Sequence, residues 1–153
     1  MWFLQILLGW YVADLITGIY HYFIDNYGSP KTPFFGKQIE EFQIHHQRPR
    51  DFLKHNAWHS LKLPLLGSIP FFILSFINPY FFLPLAIGLA CSQLFHKWAH
   101  QEVPWYIWIF QVTGIILSPD EHQKHHTTFD HSYCIVNGWS NGLLNFVLKL
   151  ISV

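Results

Sequence analysis

Residues 63–100 read LPLLGSIPFFILSFINPYFFLPLAIGLACSQLFHKWAH. The first 33 of them, Leu63 to Phe95, hold no charged side chain. About 20 apolar residues suffice to cross a bilayer as a helix. Asn78-Pro79 near the middle is a turn signal. The stretch therefore predicts two short helices, 63–77 and 79–96, forming a hairpin through a membrane, with Pro70 and Pro84 as sites for kinks. It then runs into His96-Lys97-Trp98-Ala99-His100, whose two histidines lie one helical turn apart on one face.

Upstream, residues 1–24 (MWFLQILLGWYVADLITGIYHYFI) carry a single charge, Asp14, and predict a first span. They have neither a basic n-region nor an A-x-A site, so a cleaved signal peptide is the weaker reading. Downstream, Val103–Leu117 contains Pro104, suited to a first turn, then Trp105, Tyr106, Trp108 and Phe110. It is short for a span and rich in aromatics that seek the membrane–water boundary, so an interfacial helix is expected. Leu143–Val153 is apolar, too short to span, and predicts a second one. The expected fold is an all-α integral membrane protein with about three transmembrane helices, one plus a hairpin. Interfacial helices and a cytoplasmic-side, histidine-rich di-metal site complete it. The absence of repeats and linkers predicts a single domain over residues 1–153.

Composition agrees. Of 153 residues, 51% are hydrophobic, 19% aromatic and only 12% charged, about half the charged share of a soluble domain. The net charge is zero, so no basic excess suggests nucleic acid. Cys91 and Cys134 form no CxxC pair and read as small buried thiols. No Lys or Arg precedes the end of the first helix, and none lies in the 78–80 turn. By the positive-inside rule, the loops after the first helix and after the hairpin face the cytoplasm. The histidines lie in or beside those loops.

There are 11 histidines, and most are grouped. His21 ends the first helix. His45, His46 and His55 lie in the first loop, and His96 and His100 close the hairpin. His122, His125 and His126 follow the interfacial helix, while His59 and His131 stand apart. HxxxH and HxxHH spacings aim two or three imidazoles at one point of a helix face. Adjacent His45 and His46 diverge, reaching two metals, or one metal from a bent segment. Asp14, Gly18, His21 and Asp25 share one helical face. Asp25 is a candidate to orient a ligand histidine through its other ring nitrogen. Asp14, costly within an apolar helix, is expected to bond another helix or to serve the site.

A structural zinc site saturates at four ligands, so eight clustered histidines suggest two metals. Imidazole suits iron as well as zinc, and spacing does not separate them. Two irons at a membrane surface would suit oxygen activation against an unactivated C–H bond. A non-enzymatic zinc-binding or zinc-transporting membrane protein is the competing class. It calls for ligands along the spans, and residues 63–95 hold no His, Asp or Glu.

Four stretches carry a resemblance. They are Ala13-Asp14-Leu15-Ile16-Thr17-Gly18 with His21 and Asp25-Asn26-Tyr27-Gly28; Phe35–Glu40 leading to Phe42-Gln43-Ile44-His45-His46-Gln47-Arg48-Pro49; Ser92–His100; and His122–His126 with Tyr133–Trp139 and Asn141. Together they resemble the lipid desaturase family that contains plasmanylethanolamine desaturase and plant fatty acid desaturase 4. The likeness covers about residues 10–145. It implies an O2-dependent, di-iron desaturase introducing a double bond into the alkyl or acyl chain of a membrane phospholipid. It implies His21, His45, His46, His96, His100, His122, His125 and His126 as metal ligands. His55, Asp25 and Asp14 are lesser candidates for the metal or its surroundings. A separate electron donor of ferredoxin or cytochrome b5 type is implied, since neither a GxGxxG fingerprint nor a cysteine cluster is present. A lipid hydroxylase would use the same pattern. The chain departs from the family in a shorter N-terminus, implying one membrane helix fewer. It also departs at Thr127–Ser132, a residue short and without the usual proline. The wording before His45 leans toward the plant acyl branch, and His55 toward the plasmalogen branch.

Overall fold

The computed structural model describes residues 1–151. Seven α-helices follow in order: α1 Trp2–Asn26, α2 Gly36–Gln47, α3 Ala57–Leu74, α4 Pro79–Ala99, α5 Trp105–Val112, α6 Pro119–Thr128 and α7 Asn141–Ile151. A single 3-10 turn, Asp51–Lys54, lies between α2 and α3. The described residues contain no strand.

Among the described residues, three helices are long and apolar enough to cross a membrane: α1 with 25 residues, α3 with 18 and α4 with 21. At about 1.5 Å per residue each matches or approaches the roughly 30 Å hydrocarbon core. The hairpin differs from expectation at its ends. The helix expected over 63–77 is α3, which starts at Ala57 because Asn56 caps it, its side chain accepting the His59 N–H at 3.0 Å. The apolar run marked only the greasy part of a longer helix. α4 continues past 96 to Ala99, with His100 as its C-cap. The interfacial helix expected over 103–117 is the shorter α5. The C-terminal one begins at Asn141, and Ser152 and Val153 of that expectation lie outside the described residues.

α4 is the central helix, packing on both α1 and α3. It runs parallel to α1: the Trp2 and Tyr80 rings meet at one end and His21 and His96 at the other. Small residues allow the close approach. A Cβ on Gly88 would stand 2.7 Å from the Ala13 Cβ. α3 returns the chain between them, so the C-terminal ends of α1 and α4 share one end of the bundle with α2 and α6.

The segment 133–140 is a non-helical strap laid along α1. The Tyr133 carbonyl meets His21, the Ile135 N–H reaches Thr17, and the Ser140 hydroxyl donates to the Tyr11 carbonyl. Backbone without a helix at membrane depth needs partners within the protein. Asp14 supplies them. Its Oδ1 accepts from the N–H groups of Val136, Asn137 and Gly138 at 2.9–3.1 Å, and its Oδ2 from Ser140 at 2.9 Å. The expectation for Asp14 was a bond to another helix or a place in the site. Its carboxylate bonds the strap rather than another helix, and it is not among the grouped donor residues. Cys134 is buried in this strap and Cys91 is partly buried on α4; both are free thiols.

Candidate metal centre

Two groups of donor atoms form at the histidine end of the bundle. His45, His96, His100, His122 and His126 make one, and His21, Asp25, His46 and His125 the other. Within each, one ligand atom per residue lies within 4.8 Å of all the others. All eight histidines expected from the sequence are brought together.

Four elements build the two groups. α1 contributes His21 and Asp25, one turn apart; α2 contributes the neighbours His45 and His46. Consecutive helix positions diverge by about 100°, and they enter different groups. α4 provides His96 from its last turn and His100 from its cap. α6 is fixed by Ser118, which accepts the Glu121 N–H at 3.2 Å, and by Pro119 at its start. The HxxHH triplet does not aim at one point, as its spacing suggests. Residues 122 and 126, about 40° apart around the helix, serve the first group, while His125 on the other side serves the second.

The first group is a closed ring of ring nitrogens. His96 Nε2 lies 3.0 Å from His45 Nε2 and 2.8 Å from His122 Nε2. His126 Nε2 lies 3.0 Å from both of those. Neutral imidazoles offer one N–H or one lone pair at each nitrogen, so four such contacts cannot all be good hydrogen bonds. A cation at the centre satisfies four lone pairs at once. Four nitrogens at this spacing enclose a point about 2 Å from each, the metal–imidazole distance. His100 Nε2, buried and without a hydrogen-bond partner, completes the group.

In the second group, Asp25 Oδ2 stands 3.2 Å from His21 Nε2 and 3.3 Å from the Nε2 atoms of His46 and His125. Both Asp25 oxygens and His21 Nε2 are buried without a hydrogen bond. The spacing placed Asp25 behind a histidine; instead its carboxylate faces the same centre as the imidazoles. The orienting partners are backbone carbonyls. His21 Nδ1 is 2.9 Å from the Tyr133 oxygen, and His125 Nδ1 is 2.9 Å from the His131 oxygen. Each holds its proton on Nδ1, leaving the Nε2 lone pair for the centre.

The electrostatics agree. Burial first, and then neighbouring imidazoles, hold His45 and His122 far below the ordinary histidine value. Burial lowers His126 to about 3. His46 and His100 are lowered to about 4, again chiefly by burial; Asp25 partly offsets it at His46, and Arg50 adds to it at His100. These groups are neutral at neutral pH, the form that binds metal.

Three phenylalanines pack against the site, which sequence spacing did not signal. Phe52 of the 3-10 turn packs on His45, His96 and His100, with ring centroids 4.8–5.4 Å apart. Phe42 covers His21 at 5.0 Å, and Phe129 covers His46 at 4.9 Å. Phe129 caps α6 in the left-handed region, φ 60°, a conformation costing a non-glycine residue about 1 kcal/mol. His55 joins neither group. Its ring stacks on His59 at 4.1 Å, and its carbonyl accepts from buried Lys97. Its side chain is therefore drawn to α3, away from the donors.

A family model described as a lipid desaturase domain matches residues 10–150. Fatty acid desaturase 4, chloroplastic, of Arabidopsis thaliana is 36% identical over 88% of this chain and 45% of its own. Fatty acid desaturase 4-like 1, chloroplastic, from the same plant is 33% identical over 90% of this chain and 50% of its own. Plasmanylethanolamine desaturase of Myxococcus xanthus is 32% identical over 93% and 55%. The chain thus spans about half the length of these relatives. No solved structure matches it.

Proposed function

Because this chain belongs to the lipid desaturase family, we propose that it is a membrane-bound di-iron enzyme introducing a double bond into an alkyl or acyl chain of a membrane phospholipid. The observation that carries the reading is the pair of convergent donor groups, eight imidazoles and one carboxylate, at one end of three apolar helices.

The overall reaction is balanced by one O2, two electrons and two protons: a CH2–CH2 unit becomes CH=CH and two waters form. Two irons, when bound, supply the redox chemistry that activates oxygen against an unactivated C–H bond. His45, His96, His100, His122 and His126 would hold one, and His21, Asp25, His46 and His125 the other. The residues around them have defined work. The Tyr133 and His131 carbonyls fix the Nδ1 tautomers of His21 and His125. Phe42, Phe52 and Phe129 restrict water at the donors, protecting a reactive oxidant from side reactions. Asp25 places one negative charge in the second group, lowering the net charge that a buried metal would impose. The two electrons come from a separate carrier of ferredoxin or cytochrome b5 type. The loops bearing the Lys and Arg residues, together with the histidine end, face the cytoplasm.

The test compares lipids from cells with and without the chain. The expected product is a phospholipid two hydrogens lighter, absent with His96→Ala, which also lowers bound iron. A chain that gains oxygen instead would make the enzyme a hydroxylase. Full activity in His96→Ala would remove His96 from the centre.

A further inference from the structure

A cavity of about 650 Å³ opens beside the first donor group, with His100 and Trp108 of α5 in its wall. Two charged side chains line it, Arg50 and Glu102. Three cations sit close together on the turn after α2, and they are not used alike. Arg48 and Lys54 both pair with Asp51, at 3.3 and 2.8 Å. Among the described residues, no ion pair forms at Arg50 or at Glu102, nor between the two. Opposite charges thus line one cavity without meeting.

The depth of the cavity matters. α5 turns Trp105, Tyr106 and Trp108 outward, at 54–71% exposure. Such aromatics sit at the headgroup level of a bilayer. Resting on the desaturase reading above, we propose that this cavity holds a zwitterionic phospholipid headgroup. Arg50 binds its phosphate and Glu102 its ammonium, while the attached chain is presented toward the donor groups past His100. Guanidinium matches phosphate oxygens as a fork of donors, and a carboxylate accepts from an ammonium. An anionic headgroup lacking the ammonium leaves Glu102 facing a negative charge. The two charges therefore select headgroup class rather than merely attract lipid.

The test uses the iron-loaded full chain in mixed micelles, supplied with O2 and a reduced electron carrier of ferredoxin or cytochrome b5 type. The probes are phosphatidylethanolamine-type and phosphatidylglycerol-type lipids carrying identical chains. Double-bond formation is measured, and lipid binding is read in parallel by native mass spectrometry. Wild type is expected to prefer the zwitterionic lipid. Glu102→Gln should raise KM for that lipid about tenfold and leave the anionic lipid unaffected or improved. Arg50→Gln should raise KM for both about tenfold, with partial recovery in Arg50→Lys and unchanged iron content in all variants. Product formation without headgroup preference, or with wild-type KM values in both variants, overturns the headgroup site and leaves the desaturase reading intact. Charge-dependent binding preference without any product does the reverse. Neither preference nor product overturns both.

Discussion

His45 and His46 are neighbours on α2, yet their Nε2 atoms belong to different donor groups, one 3.0 Å from His96 and the other 3.1 Å from His125. One helix thus ties the two centres together. Substituting either residue should lower bound metal from about two to about one per chain, emptying a different group each time. Elemental analysis of His45→Ala and His46→Ala, with spectroscopy of the iron retained, checks this. Identical residual spectra would contradict two separate centres.

Asp14 stabilises the strap rather than the metals. In Asp14→Ala, three buried N–H groups and the partly buried one of Gly138 lose their acceptor. At about 1–3 kcal/mol for each unsatisfied group, the loss is large for any domain. The expected outcome is a steep drop in the thermal midpoint in detergent. Asp14→Asn, which keeps one acceptor oxygen, should fall between it and wild type. A midpoint unchanged in Asp14→Ala would show that the strap is held otherwise.

The metal-stripped chain should lose stability on acidification. Folded His46 and His100 titrate near 4 and His126 near 3, against an ordinary value of 6.5. Below 6.5 the unfolded chain takes up protons that the folded chain refuses, so stability falls as pH falls. The loss accumulates from about 6.5 down to about 4, and to about 3 for His126. These groups contribute no slope above 6.5. A thermal midpoint lower at pH 5 than at pH 7 is expected for stripped protein, and one that rises on acidification would contradict the buried neutral imidazoles.

Much of this architecture was legible in the sequence, for identifiable reasons. The charge-free run from Leu63 to Phe95 dictated the hairpin, because a bilayer imposes its own length on apolar helices. The eight histidines were legible because clustered imidazoles are rare without a metal. The partition was not. His125 differs from His122 and His126 only in which side of α6 it faces, and that depends on where α1 and α2 stand. Asp25 reads as a supporting group because spacing places a residue on a face but does not rank its distance to a centre. His55 was raised by its place beside His45 and His46 in the first loop and by resemblance, and the Asn56 cap turns its chain into α3 instead.

The contact between Gly88 and Ala13 sets the separation of α1 and α4, and with it the distance from His21 to His96. Gly88→Leu should push the helices apart and reduce bound metal, although residue 88 lies more than two turns from either histidine. Gly88→Ala should have a milder effect. Full metal content in Gly88→Leu, measured on folded protein, would show that the α1–α4 spacing at Gly88 does not set the site.

The central claim is a pair of iron sites built from this one chain. The most direct measurement is the metal content of the chain, expressed with ample iron and purified in detergent, by elemental analysis against protein concentration. The expected result is about two irons per chain, one for each donor group. Zinc alone under those conditions, or a single metal spread over both groups, would contradict it.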